Sequence, residues 1–94
     1  MSSLNEVEST YSRLIARKNV RGVVLATRPE GLIIRSSLSD ELSKIYGKVI
    51  SELLNVAQNA VKSIDDQDLL KFLRVRTAKH EIMISPGNFY AFRV

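Results

Sequence analysis

The segment from Asp68 to Pro86, DLLKFLRVRTAKHEIMISP, constrains the fold of this chain more than any other stretch. Its first part, Leu69–Val75, mixes strand-forming apolar residues with cations, and a short turn leads to a second strand pattern at Glu81–Ser85. Charges within a strand prevent indiscriminate pairing but leave the strand free to pair with one specific partner. The segment therefore predicts a hairpin at the edge of a sheet, and it indicates a role in assembly rather than in catalysis.

Composition predicts one soluble globular domain over residues 1–94. The chain is 45% hydrophobic and 26% charged, which is ordinary for such a domain. A domain of this size buries only about 60% to 65% of the surface of its unfolded chain, so oligomerisation is an expected source of further stability. The sequence contains no cysteine, which excludes a disulfide framework, a thiolate nucleophile and a thiolate zinc site.

Two further features bear on where the protein acts. The first residues, MSSLNE, lack the basic and apolar regions of a leader peptide, so secretion is not expected. No apolar run approaches the roughly 18 residues of a membrane span, and we expect no membrane partner. The sequence thus favours a location in the cytosol.

The formal net charge of +4 is a reason to consider nucleic-acid binding. The cations are dispersed along the chain, however, and only Arg74, Arg76, Lys79 and His80 form a cluster. Aromatic residues are not interleaved with them, as a platform for base stacking would require. We therefore expect no nucleic-acid partner.

The first element of the chain is a predicted helix. Ser3 and Glu6 have the spacing of a capping box, and an apolar stripe recurs at intervals of three and four residues. The stripe consists of Leu4, Val7, Tyr11, Leu14 and Ile15. Asn19 suits the left-handed residue that ends a helix, and one face of this helix is expected on the core.

A predicted β-hairpin follows the first helix. The segments Arg21–Thr27 and Leu32–Ser37 are strand-forming, and the turn between them is Arg-Pro-Glu-Gly at residues 28–31. Apolar residues are continuous in both segments, whereas a strand with one solvated face alternates. We therefore predict that both strands are covered on both faces.

A second and longer helix is predicted from a cap at Ser39 to about Ile64. Its apolar residues keep the helical period, and its length of roughly 36 Å exceeds what the chain's own sheet requires. Leu54 widens the apolar stripe, so that either part of the helix faces a second subunit or Leu54 lies over a sheet edge. Gly47 lowers helix stability, and a close approach at that position is one reason for a glycine.

A final strand is predicted at Phe89–Val94, after a turn at Pro86–Asn88. The element order is therefore α-β-β-α-β-β-β. This order predicts an α+β fold, in which a five-stranded antiparallel sheet is sandwiched by two helices, one on each face.

The residues offer no recognisable catalytic or metal site. His80 is the only histidine and lies in a predicted turn, so neither a nucleophile pair nor a histidine metal site can be built. Asp65, Asp66 and Asp68 lack the spacing, the glycine and the terminal glutamate of a calcium loop, and we interpret them as a solvated loop. We expect no enzymatic activity, no cofactor and no metal.

The chain resembles roadblock-type dynein light chains over nearly its whole length. The most specific match is the stretch from Phe72 to Pro86, FLRVRTAKHEIMISP, and Val20–Val24 and Glu30–Gly31 add to it. The hairpin turn differs, since Pro29 stands where that family often has an asparagine or aspartate.

The resemblance implies a non-catalytic light-chain subunit of the dynein motor complex, which functions in microtubule-based transport. Two subunits, identical or paralogous, would join their sheets into one of ten strands and bind the dynein intermediate chain. The implied dimer interface comprises Tyr46, Val49, Ile50 and Leu53 in the second helix, with Leu70, Phe72, Arg74 and Arg76 in the third strand. The two arginines would set the register by pairing with acidic groups of the partner subunit.

Roadblock-like dimers also act as scaffolds or regulators of small GTPases, and this function is the alternative. A GTPase partner predicts binding that depends on nucleotide state and no association with motor subunits. The dynein assignment implies a cytoplasmic, microtubule-associated location, and the sequence leaves open an axonemal motor.

Overall fold

The computed structural model describes residues 4–94, which form two helices and five strands. The elements are α1 (Leu4–Ile15), β1 (Val23–Ala26), β2 (Ile33–Ser36), α2 (Asp40–Ile64), β3 (Leu73–Arg76), β4 (Glu81–Pro86) and β5 (Tyr90–Arg93). The predicted order of helices and strands is confirmed. Ser3 lies outside the described residues, and so does the capping box predicted for Ser3 and Glu6.

The five strands form one antiparallel sheet in the order β2-β1-β5-β4-β3. β5, the last of the five along the chain, lies in the middle, and β2 and β3 are the edges. Phe92 of β5 pairs with Val24 of β1 on one side and with Ile84 of β4 on the other. The predicted fold class, a five-stranded antiparallel sheet with two helices, is confirmed.

β3 is shorter than predicted. Its pairing with β4 begins at Leu73, which lies opposite Ile84. In the same register Lys71 would lie opposite Pro86, which has no amide hydrogen to donate to a ladder. The predicted strand start at Leu69 is therefore wrong, and residues 69–72 lead into the strand.

The two helices pack on opposite faces of the sheet. The α2-side cluster contains Ile50 and Leu54 of the helix with Val24, Ala26, Ile84, Tyr90 and Phe92 of the sheet. The α1-side cluster contains Val7 and Leu14 of the helix with Val23, Leu25, Phe89 and Ala91. Successive residues of β1 belong to different clusters and all four are buried, so the prediction that this strand is covered on both faces is confirmed.

The prediction that β2 is covered on both faces is wrong. The register between β1 and β2 shifts, so that Ala26 pairs with Ile33 and Leu25 pairs with Arg35, which leaves Ile34 without a partner as a bulge. Ile33 packs against the α2-side cluster, whereas Ile34 is 39% exposed. The continuous apolar run in this strand therefore reflects a bulge at a sheet edge rather than burial on both sides.

The structure tests three further local predictions. Ser39 is the N-cap of α2, where its hydroxyl accepts a hydrogen bond from the Leu42 amide at 3.2 Å, and α2 ends at Ile64 as predicted. Asn19 has φ 70°, which confirms the left-handed residue after α1. Leu54 is fully buried against the chain's own sheet, so the alternative in which it faces a second subunit is wrong.

Within residues 4–94, neither helix has the length and apolarity needed to cross a lipid bilayer.

Candidate assembly surface

α2 has two apolar faces rather than one. The face toward the sheet carries Ser43, Gly47, Ile50, Ser51 and Leu54, all of which are buried. A second face carries large apolar side chains that are between 38% and 87% exposed. We call this second face the outer stripe, and it consists of Leu42, Ile45, Val49, Leu53, Val56 and Ile64. Surface helices usually turn polar residues to solvent, so an apolar stripe of this length indicates a binding surface.

Three residues on the sheet-facing side of α2 are small, so the helix backbone can lie close to the first hairpin. Ser43, Gly47 and Ser51 recur at intervals of four and lie on one line along the helix. The hydroxyl oxygens of Ser43 and Ser36 are 2.6 Å apart, and the Ser51 hydroxyl oxygen lies 3.4 Å from the Glu30 carbonyl oxygen. The helix thus lies close to the first hairpin through small residues, while most of its large apolar residues lie in the outer stripe.

β3 forms an open edge of the sheet. It has a strand neighbour only on its β4 side among the described residues. Leu73 and Val75 pack against the α2-side cluster, and Arg74 and Arg76 alternate with them. Phe72, immediately before the strand, is 45% exposed. An unpaired strand with an exposed aromatic residue beside it is a site at which another strand can be added.

The four interface residues predicted in the second helix fall into different environments. Val49 and Leu53 lie in the outer stripe and are 53% and 38% exposed. Tyr46 is half-buried and packs against the α2-side cluster. Ile50 is only 5% exposed and is enclosed by the chain's own sheet, so its assignment to a partner interface is corrected. The interface role of Tyr46, Val49 and Leu53 stays a prediction.

The four residues predicted around the third strand are also divided. Leu70 is half-buried and packs against the α2-side cluster, whereas Phe72 is exposed and available to a partner. Arg74 and Arg76 are exposed and belong to the opposite face of the sheet from Leu73 and Val75. The structure therefore brings Val49 and Leu53 together on α2, and it separates them from the two arginines by the thickness of the sheet.

Arg74 has its carboxylate partner within its own chain. Its Nη2 and Nε atoms donate to the two oxygens of Glu81 at 2.9 and 3.0 Å, a bidentate pair across the β3–β4 hairpin. The hydrogen bond from Arg74 lowers the pKa of Glu81 below its ordinary value of 4.5, and the nearby Arg76 guanidinium acts in the same direction. Arg74 is thus already paired with Glu81 in the single chain, whereas Arg76 has no such pair among the described residues, and the interface role of both arginines stays a prediction.

Four residues of the outer stripe belong to the apolar period of the helix but are not among the predicted interface residues: Leu42, Ile45, Val56 and Ile64. Hydrophobic periodicity alone does not separate two neighbouring apolar faces of one helix. The signal that separates them is the spacing of Ser43, Gly47 and Ser51, because small residues mark the side on which the helix lies close to other backbone.

The polar residues that were considered as catalytic or metal-binding candidates take part in local hydrogen bonds of turns and loops. His80 lies in the exposed β3–β4 turn, where the Thr77 amide donates to the His80 carbonyl oxygen at 2.8 Å. The carboxylates of Asp65 and Asp68 accept from the amides of Gln67 and Leu69, as expected of a solvated loop. In the part of the chain that the structure describes, no group of three or more histidine, cysteine and acidic side chains is placed to hold a metal ion.

Comparison with known proteins gives two concordant results. A family model described as "Roadblock/LC7 domain" matches residues 6–92. The solved structure of a Roadblock/LC7 domain from Streptomyces avermitilis superposes with a TM-score of 0.78 at 16% sequence identity. The match covers 88% of this chain and 72% of the Streptomyces chain, and at this identity it concerns the fold alone.

Proposed function

The chain belongs to the Roadblock/LC7 domain family, and from this premise we propose that it is a non-catalytic assembly subunit that forms a two-fold dimer. The observation that carries the proposal is the outer stripe of α2, together with the open edge of β3. Both features are apolar or hydrogen-bonding surfaces that remain unused within the described chain, and neither resembles a catalytic pocket.

A second copy of the chain, related by a two-fold rotation, would cover both the outer stripe of α2 and the open edge of β3. If β3 pairs antiparallel with β3 of the partner, the two sheets join into a continuous sheet of ten strands. A two-fold axis perpendicular to that sheet keeps both α2 helices on the same face, where their outer stripes come side by side. Phe72 then lies at the junction and buries its exposed ring.

Within the family, we propose the role of a dynein light chain that binds the intermediate chain in the cytoplasmic or axonemal motor. The support for this assignment is the similarity of Phe72–Pro86 to roadblock-type dynein light chains. A two-fold dimer provides one continuous surface for a helical or extended segment of the intermediate chain. The subunit would thereby be located on microtubules with the motor complex.

Equilibrium sedimentation tests both levels of the proposal. The purified chain is run alone at micromolar concentration and then mixed with an N-terminal segment of a dynein intermediate chain. A dimer that takes up the segment supports the light-chain role. A dimer that ignores it contradicts that role and favours the GTPase scaffold, which binding to a GTPase in its two nucleotide states then checks.

A monomer in this experiment contradicts the homodimer. Mixing the chain with a paralogous light chain then separates an obligate heterodimer from a monomeric protein. In the first case a 1:1 complex forms, and in the second case both chains sediment independently.

A further inference from the structure

The face of the sheet that carries α1 is covered over only part of its width. Among the described elements, α1 makes its main contacts with β1 and β2, and its contacts with β3 and β4 are few or absent. Phe89 and Ala91 belong to the α1-side cluster, so Arg93, two residues further along β5, is on the same face. Arg93 lies opposite Met83, and Met83 lies opposite Arg74, which makes a row across three strands.

Two hollows lie along this face, and the row connects them, because Arg93 lines the first and its neighbours Met83 and Arg74 line the second. The first, of about 290 Å³, lies between the end of α1 and β4–β5 and is lined by the cations Arg13, Arg17 and Arg93. The second, of about 410 Å³, is lined by four cations, Arg21, Arg74, Arg76 and Lys79. We call the two hollows together the basic groove. It contains half of the 14 lysines and arginines of the chain, against two glutamates.

Both glutamates of the basic groove have partners within the chain. Glu81 is held by Arg74 in the bidentate pair, and Glu6, in the first turn of α1, accepts a hydrogen bond from the side-chain Nδ2 of Asn88 at 3.2 Å. Arg93 makes its hydrogen bond to the sulfur of Met83, at 3.4 Å, rather than to an oxygen. A thioether is a weak acceptor, so most donors of this guanidinium remain available for a ligand.

The cations of the groove are close enough to act on one another. Partial burial lowers the pKa of Arg93, and the charges of Arg17, Arg13 and Arg74 lower it further. Like charges that are held together by the fold repel one another, and an anion placed among them relieves this repulsion. The geometry of the row and the distribution of charge thus both favour an anionic ligand.

We propose that the basic groove binds an acidic segment of a partner protein, in which several aspartate or glutamate side chains are engaged by its arginines. Six of the seven cations are arginines, whose planar donors match the two oxygens of a carboxylate. The groove lies on the opposite face of the sheet from α2. It therefore remains accessible in a dimer formed through α2 and β3, and the proposal does not depend on the dynein assignment.

Two other classes of anionic partner fit the groove less well. Single-stranded nucleic acid requires several exposed aromatic rings on which successive bases stack, whereas the lining of the groove offers Phe89, which is 7% exposed, and the single imidazole of His80. A membrane surface requires apolar side chains that enter the bilayer beside the cations. The large exposed apolar residues of the described chain, such as Val49 and Phe72, do not line the groove.

The test is a fluorescence anisotropy titration of the full chain with a labelled glutamate–serine repeat peptide of about 12 residues, at about 50 mM and 300 mM salt. We expect saturable binding that weakens at the higher salt concentration. The double variant Arg13→Gln/Arg17→Gln, which changes exposed residues of the groove, should lower the affinity about tenfold or more. Arg93→Gln should weaken binding in the same direction.

The matched control is Lys44→Gln/Lys48→Gln, which removes the same charge from exposed positions on α2. It should change the affinity less than about twofold, because these lysines lie outside the groove. An equal loss in the control, or no binding of the peptide at the lower salt concentration, overturns the proposal. Tighter binding of single-stranded DNA or of phosphatidylserine vesicles than of the peptide overturns it as well. Circular dichroism of each variant checks that the fold is retained.

Discussion

The carbonyl oxygen of Gly47 in α2 lies only 2.1 Å from the position that a Cβ atom on Gly31 would occupy. The converse distance, from a Cβ on Gly47 to the Gly31 carbonyl oxygen, is 2.3 Å. The helix and the β1–β2 turn therefore meet backbone to backbone, and each glycine is required by the other. The close approach predicted at Gly47 is confirmed, and its partner is a turn of the same chain.

We predict that Gly47→Ala lowers the free energy of unfolding by about 1–3 kcal/mol, because the Gly31 backbone must move to admit the methyl group. The result runs against helix propensity, which alone favours alanine by about 1 kcal/mol. Urea denaturation measures the difference. Gly87→Ala is the matched control, since its nearest contact would be 3.8 Å away, and a stability gain in Gly47→Ala would contradict the close approach.

A second prediction separates the two faces of α2. Leu54→Ala should cost about 2–5 kcal/mol at every protein concentration, because Leu54 is fully buried in the monomer. Val49→Ala, in the outer stripe, should change the stability of the monomer by less than about 0.5 kcal/mol but weaken dimerisation. Thermal melts at low and high protein concentration distinguish the two effects, because only the dimer has a concentration-dependent melting temperature. Equal effects of the two substitutions would refute the division of the helix into two faces.

A third prediction concerns the open edge of β3. Phe72→Asp should raise the dissociation constant of the dimer about 30-fold or more, because it places a charge at the proposed junction. Phe72 is 45% exposed in the single chain, so the monomer should fold with little loss. Light scattering at micromolar concentration measures the mass. An unchanged dimer mass would remove β3 from the interface.

A fourth prediction follows from the Arg74–Glu81 pair. The hydrogen bond from Arg74 keeps the pKa of Glu81 below 4.5 in the folded chain, so the unfolded chain takes up a proton at this residue at higher pH than the folded chain does. The stabilisation by this pair is complete at pH values above the pKa of Glu81 in the unfolded chain. It is lost as the pH falls through the lower pKa of Glu81 in the folded chain. Glu81→Gln should therefore flatten the acid side of the stability–pH profile, as measured by urea midpoints between about pH 3 and 6. An unchanged profile would show that the pair does not contribute.

Sequence patterns predicted α2 nearly residue by residue, because a cap at Ser39 and a sustained period are local signals. They did not predict that Val49 and Ile50, which are adjacent in the chain, face solvent and core respectively. That distinction depends on which side of the helix meets the sheet. In the sequence, the side of the helix that meets the sheet is marked by the spacing of its small residues, Ser43, Gly47 and Ser51.

The edges of the sheet were the least predictable part of the fold. The start of β3 depends on where Pro86 lies in the neighbouring strand, and the bulge at Ile34 depends on the register with β1. Both are relations between strands rather than properties of one segment. The pairing of Arg74 with Glu81 belongs to the same class, because it follows from the register of the β3–β4 hairpin.

The central position of β5 has a consequence for the order in which the protein folds. β5 lies between β1, which precedes it by more than 60 residues, and β4. During synthesis the first hairpin and α2 leave the ribosome well before the strand that joins them to the second hairpin. The sheet can therefore close only when Tyr90–Arg93 has been made, and until then the edge of β1 opposite β2 has no strand to pair with.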